Sequence, residues 1–275
     1  MADRRDPLDM SERVVLVTGG ARGIGRAIAQ AFLDAGAEVA ICARHEPETL
    51  PVSADGARTA LFVAADVRDP DAADLVVGTT MRRFGALHVL VNNAGGSPTA
   101  DSATASVRFS TAIITLNLIA PLVFAQRANA VMQEQADGGT IVNVASVSGL
   151  RGSPGAAAYA AAKAGLLNLT RTLAIDFAPK VTVNAIAAGL VRTEQSTLHY
   201  GGDAGLAAVG ATVPLGRMAE VEEIADVCRF LASPLARYVN GAHITVDGGG
   251  EWPAYLTAAQ PTPSEGARPQ VKRVR

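Results

Sequence analysis

One alternation constrains the fold of this chain more than any other feature. Short runs of β-branched and apolar residues at 13–17, 38–42, 60–65, 87–91, 140–145, 181–187 and 243–246 are separated by helical patterns at about 23–35, 70–83, 106–135, 155–178 and 220–232. Runs such as RVVLV, LHVLV and TIVNVA are nearly continuous in hydrophobicity, as strands buried on both faces must be. Connections long enough to hold a helix join parallel strands, and right-handed crossovers put the helices on both faces of the sheet. The expected fold is therefore α/β: one doubly wound Rossmann domain around a seven-stranded parallel sheet.

A chain of 275 residues can bury one large core of this kind, and neither an internal repeat nor a break in composition marks a second domain. Residues 1–12 are expected to form an N-terminal extension and 13–259 the Rossmann-type domain. Within that domain, 192–219 lacks a strand and carries Gly201, Gly202, Gly205, Gly210 and Gly216, the composition expected of a mobile lid. Residues 260–275, Pro-rich and basic, are expected to be a flexible tail.

The net charge of −2 supplies no basic field for nucleic acid. Cys42 and Cys228 have no metal-ligand or redox spacing and read as buried thiols of a reducing compartment. His88, His199 and His243 lack metal-ligating partners and read as structural or surface residues. The first residues contain no apolar leader, and the longest apolar run, IITLNLIAPLVFA, is broken by Asn117 and Pro121 and is too short to span a bilayer. No membrane association and a cytoplasmic location are expected.

The first strand runs into TGGARGIG (18–25), which opens a helix. Gly19 permits the tight turn, Gly23 lets backbone approach a pyrophosphate, and Gly25 lets helix and strand pack closely. Ile24 lies between them, and the helix N-terminus presents free N–H groups to phosphate. An NAD site would place Asp or Glu after the second strand. Here the strand ends Cys42-Ala43-Arg44-His45 with no carboxylate before Glu46. Arg44 with Arg22 can clamp a 2′-phosphate, so NADP(H) is favoured and NAD(H) is the alternative. The competing reading of both arginines is as solvated loop residues.

Further along, AAAYAAAKAGLL (156–167) puts Tyr159 and Lys163 four residues apart on one helix face, with only alanines between them. Together with TGGARGIG, Asp66-Val67, NNAG at 92–95, Asn117, Ser146 and VDGG at 246–249, this series resembles the short-chain dehydrogenase/reductase family, in a compact form close to the 3-oxoacyl carrier-protein reductases. The resemblance runs from Arg13 to about Gly249, and Ser146 precedes Tyr159 by the family's usual thirteen positions.

The resemblance implies hydride transfer between a nicotinamide cofactor and a ketone or secondary alcohol. Tyr159 is the implied general acid/base, its phenolate favoured by Lys163 and the nicotinamide charge. Ser146 is implied to hold the substrate oxygen, and Lys163 the nicotinamide ribose. Pro121 cannot donate to the carbonyl of residue 117, so a helix kink is expected there. In the family the matching asparagine backbone carries a water for proton relay. Asp66 and Val67 are implied to meet the adenine, Asn92, Asn93, Ala94 and Gly95 to lie along the cofactor cleft, and Thr193 to reach the carboxamide. One departure is Ala188-Gly189 where the family has Pro-Gly, which predicts a looser turn.

Relatives pair the helices matching 106–135 and 155–178 between subunits, which implies a homotetramer or homodimer, with Trp252, Tyr255 and Leu256 candidates for a contact. Substrate contacts are expected at Gly96, Ser97, Val147, Leu150, Arg151 and the lid, where His199-Tyr200 reads as a solvated pair. Arg151 leaves an anionic acyl substrate open beside an apolar ketone. The rival reading keeps the fold without the chemistry, as a dinucleotide-binding sensor or interaction protein.

Overall fold

A computed structural model describes residues 6–253. The proposed tail (260–275), Tyr255 and Leu256 lie outside the described residues, as does the side chain of His199. Seven parallel strands form one sheet: β1 (Val14–Thr18), β2 (Glu38–Ala43), β3 (Leu61–Ala64), β4 (Val89–Asn92), β5 (Gly139–Ser146), β6 (Val181–Ala188) and β7 (His243–Val246). Their order is β3-β2-β1-β4-β5-β6-β7. The order reverses between β1 and β4, and in open α/β sheets that is where the strand ends leave a crevice.

The strand pleat explains the two faces. Val15 and Val17 of β1 pack with Ile28 and Phe32 of α1 (Gly23–Asp34) and with Ile224 and Leu231 of α8 (Val221–Ala232). Leu16, between them, points the other way, into the cluster of Val76 from α2 (Ala72–Phe84), Phe124 and Met132 from α4 (Ala120–Glu134) and Leu173 from α5 (Ala157–Asp176). Both layers are apolar because a central strand exposes neither face to water. Met10 is also buried in the α1 layer, so the N-terminal extension contributes to the core.

The helix expected at 106–135 is not uniform. α3 (Val107–Ile114) passes into a π-turn at Thr115–Ile119 before α4 begins. The expected kink at Pro121 is thus realised as a widened turn just before it, in which the Ala120 N–H reaches the Thr115 carbonyl. The stretch Val107–Glu134 is 28 residues and holds an 18-residue window of mean hydropathy 1.7, long and apolar enough by length and composition to cross a bilayer, unlike the shorter run considered alone. Its buried residues Phe124, Ala125, Ala128 and Met132 pack on the sheet.

The segment expected to form a lid also differs from expectation. Instead of a bare loop, 192–219 contains α6 (Ser196–Tyr200) and α7 (Gly202–Gly210). The turn at Ala188-Gly189 is pinned rather than loose, because the Gly189 N–H donates to the Val246 carbonyl at 2.9 Å.

A buried polar chain ties α5 to the sheet. The register sets Asn92 beside Asn143. Asn92 Nδ2 donates to Asn143 Oδ1 (2.9 Å) and to the Pro121 carbonyl (3.1 Å), and Asn143 Nδ2 donates to Thr170 Oγ1 (2.9 Å). Thr170 lies two turns from Lys163 on the same face of α5. Asn143→Ala removes the centre of this chain, leaving Asn92 with its Pro121 bond and Thr170 with its bond to the Leu166 carbonyl, but each with one buried hydrogen-bonding position unfilled, a cost of about 2–4 kcal/mol. Urea unfolding of the variant checks this, and a loss below about 1 kcal/mol contradicts it.

Candidate active site

A cavity of about 1030 Å³ opens at the reversal point. Its walls include Gly19, Arg22, Gly23, Ile24, Gly25, Arg44, Asp66, Val67, Asn93, Ala94, Gly95, Ser146, Tyr159, Lys163 and Thr193. The expected cofactor and catalytic residues other than Asn117 and Asn92 therefore share one cleft, and of the expected substrate contacts Gly96 joins them while Ser97, Val147, Leu150 and Arg151 do not line it.

The glycine turn is built for close approach. Gly19 (φ +68°) and Gly23 (φ +52°) occupy left-handed conformations. A Cβ on Gly25 would lie 2.3 Å from the Gly19 carbonyl and 2.4 Å from Asn93 Nδ2, so only glycine fits where α1 meets the turn. Arg22, the N-cap, makes no side-chain capping bond, and Glu194 Oε1, from the segment after β6, accepts from the Gly23 N–H at 3.4 Å. Asn93 Nδ2 donates to the Thr18 carbonyl at 2.9 Å and stitches β4 to the turn. Asn92 points into the buried network and does not line the cleft.

Toward the far end, Arg44, His45, Glu46 and Glu48 line the rim beyond β2, opposite Asp66 and Arg68. Arg22 and Arg44 are both exposed.

At the other end, β5 delivers Ser146 and α5 delivers Tyr159 and Lys163. Lys163 is 3% exposed, and its Nζ donates to the Val144 carbonyl at 2.8 Å. Burial pushes its pKa down to about 8. Its Nζ lies 5.7 Å from the centre of the Tyr159 ring. Burial raises the Tyr159 pKa, a hydrogen bond with Ser146 opposes that rise, and Tyr200 of α6 adds to it. In the chain by itself burial thus outweighs the Ser146 hydrogen bond and raises the phenol above its ordinary pKa. Ser146 Oγ also accepts from the Ser148 N–H at 3.1 Å.

Asn117 lies outside the cleft lining and is fully buried. Its side chain grips the loop after β4: Oδ1 accepts from the Gly96 N–H and Nδ2 donates to the Gly96 carbonyl, both at 2.9 Å. A Cβ on Gly95 would meet Asn117 Oδ1 at 2.7 Å and Lys163 Nζ at 3.2 Å. The asparagine thus fixes a bare backbone edge beside Lys163. The Thr193 N–H donates to Ser196 Oγ at 2.8 Å, which ties the start of the 192–219 segment to α6.

Arg151 is held by Glu251 in an ion pair, so its charge is already engaged rather than free for an anionic substrate. Leu150 is half exposed near it. His88 is structural, its Nδ1 accepting from the Val14 N–H at 2.9 Å. Cys42 and Cys228 are free and buried, with burial pushing the Cys42 thiol up to about 12.

Arg68, Glu194, Tyr200, Asn143 and Thr170 were not singled out as site or support residues from sequence, or in the case of Tyr200 were set aside. For Arg68 a signal existed, since it directly follows Asp66-Val67. The others carry none without the tertiary pairing.

A model of the family described as Enoyl-(Acyl carrier protein) reductase matches residues 19–251. The chain is 37% identical to trans-4-hydroxycyclohexanecarboxylate dehydrogenase of Sinomonas cyclohexanicum, over 87% of this chain and 93% of that protein. It is 35% identical to 3-oxoacyl-[acyl-carrier-protein] reductase of Synechocystis sp., over 87% and 97% respectively. Among solved structures, a short-chain type dehydrogenase/reductase from Mycobacterium marinum superposes with a TM-score of 0.79 at 30% identity, covering 89% of this chain and 97% of that one.

The buried Lys163 has a consequence for stability. Below pH 8 its ammonium is charged in folded and unfolded chains alike, and burial is a constant cost. Between about 8 and the ordinary 10.5 the folded chain sheds the proton first, so stability rises with pH across that window. Lys163→Met should therefore be more stable than the parent at pH 7, by about 1–3 kcal/mol, with the gap closing above pH 10. Thermal unfolding at both pH values checks this, and a variant less stable at pH 7 contradicts it.

Proposed function

The chain belongs to the short-chain dehydrogenase/reductase family, and on that footing we propose that it moves a hydride between NADP(H) and a ketone or secondary alcohol, with Tyr159 as general acid/base. The chain is an NAD(P)-dependent oxidoreductase acting on carbonyl or hydroxyl groups. The observation that carries the finer reading is the convergence of Ser146, Tyr159 and Lys163 on one wall of the cleft that the glycine turn opens.

The cleft fits a dinucleotide. The turn admits no side chain at Gly25, and Gly95 leaves bare backbone beside Lys163. Gly19, Gly23 and Ile24 would hold the pyrophosphate and Thr193 the carboxamide. Ala94 and Gly95 would lie along the ribose, and Asp66 and Val67 would meet the adenine. When bound, the nicotinamide supplies or accepts the hydride. In reduction, Ser146 hydrogen-bonds the substrate carbonyl and the Tyr159 phenol passes its proton to that oxygen. In oxidation the phenolate takes the proton back. Lys163, charged at neutral pH, steadies the phenolate and hydrogen-bonds the ribose. Asn117 holds the loop that frames both.

The preference for NADP(H) rests on Arg22 and Arg44 at the rim with no carboxylate before Glu46. The substrate reading favours an apolar cyclic or acyl ketone, since Arg151 is already paired and Leu150 is half exposed. A homotetramer, or a homodimer, is supported by Val107 (83% exposed) and Ile175 (79%) on the faces of α3 and α5.

Tyr159→Phe should lower kcat at least ~100-fold while leaving cofactor affinity within about twofold of the parent. Steady-state assays with fluorescence titration test this, and retained turnover removes the assignment. NADPH should bind at least ~10-fold more tightly than NADH, a gap that shrinks with salt as an arginine–phosphate contact requires. Equal affinities refute the preference.

A further inference from the structure

In the chain alone, the N-terminus of α1 is met by a carboxylate of the same chain. Arg22 makes no side-chain capping bond there, and the first turn of α1 has no acidic residue of its own. The acceptor comes from 171 residues further along, where the Gly23 N–H donates to Glu194 Oε1 at 3.4 Å. The second oxygen faces the same backbone, since a Cβ on Gly23 would lie 3.7 Å from Glu194 Oε2. Glu194 lines the cleft together with Gly19, Gly23 and Ile24, the residues that would hold the pyrophosphate. Free N–H groups and the helix dipole favour an anion at this point. The carboxylate thus stands where the phosphates are expected, with the same sign of charge.

Glu194 is not carried there on a slack loop. Ser196 is 3% exposed, its Oγ accepts from the Thr193 N–H at 2.8 Å, and its own N–H donates to the Thr193 carbonyl at 3.0 Å. Those two bonds close a turn that contains Glu194. The foot of the turn is pinned as well. The Arg192 N–H donates to the Ala219 carbonyl at 2.8 Å, and the Ala219 N–H donates to the Leu190 carbonyl at 2.9 Å. Thr193, the residue that would take the carboxamide, is the neighbour of Glu194. A dinucleotide laid along the cleft therefore meets this turn twice, losing one contact at the pyrophosphate and gaining one at the nicotinamide.

We propose that Glu194 is an internal competitor for the pyrophosphate position and thereby sets the cofactor affinity: its carboxylate holds the α1 N-terminus in the chain alone and withdraws when a dinucleotide seats. This rests on the dinucleotide reading above. The test is a fluorescence titration of the full-length protein with NADPH and with NADH. Glu194→Ala should tighten both by about fivefold, the scale of one charge at a helix N-terminus, and leave their ratio unchanged because the pyrophosphate is common to both. Glu194→Asp keeps the charge but draws the carboxylate back by about 1.5 Å, one carbon–carbon bond, out of hydrogen-bond reach of Gly23. It should show most of the same gain.

An Asp variant that binds as weakly as the parent overturns the proposal, since repulsion at a distance would then explain the alanine result. Unchanged or weaker binding in Glu194→Ala overturns it too, as does a gain confined to NADPH, which would move the effect to the 2′-phosphate. A parent and variants that bind neither dinucleotide overturn the dinucleotide reading as well.

Discussion

The site depends on one hydrogen bond in a dry place. Lys163 Nζ donates to the Val144 carbonyl at 2.8 Å, with almost no access to solvent. A charged amine in such surroundings is tolerated only when it is paired and positioned. The bond joins α5 to β5 directly behind the cleft, so the residue one turn away, Tyr159, inherits a fixed place beside Ser146. A loose tyrosine on a surface helix would have neither the burial nor the partner. The Asn92–Asn143–Thr170 chain secures the same two elements further along and carries the fixation to Pro121 in α4.

Small residues serve the same purpose from the opposite wall. Gly25 lets α1 sit on the turn, and Gly95 leaves space that Asn117 Oδ1 and Lys163 Nζ border. The π-turn brings Asn117 inward so that its amide can grip the Gly96 backbone from both sides. Helix geometry is given up over five residues, and a rigid loop edge results.

Much of this was legible in the sequence because it is local. Strand periodicity located all seven strands to within about two residues, as expected when every central strand is apolar on both faces. The Tyr159–Lys163 spacing fixes their shared face by helix geometry alone. What was not legible depends on tertiary pairing. Pro121 predicts a disturbed helix but not a π-turn, because a kink and a widened turn both satisfy the missing N–H. The glycines of 192–219 suggested a bare loop, yet Ser196 and its neighbours form short helices, since burial of Leu206 and Ser196 outweighs weak helix propensity. The ion pair of Arg151 with Glu251, a hundred residues away, has no local signal in the sequence. The burial of the Tyr159 phenol is likewise tertiary, and desolvation raises its pKa in the chain alone.

That last point defines the central claim: the folded chain keeps the Tyr159 phenol protonated by burial, and positive charge arriving in the cleft lowers its pKa into a working range. The most direct measurement is an ultraviolet difference titration of tyrosine ionisation, with and without NADP⁺, using Tyr159→Phe to assign the signal. The account predicts that Tyr159 ionises above the ordinary 10 in the free chain and shifts down when the oxidised cofactor is added. A phenol that ionises below 10 without cofactor, or one whose titration does not move when cofactor binds, would contradict it.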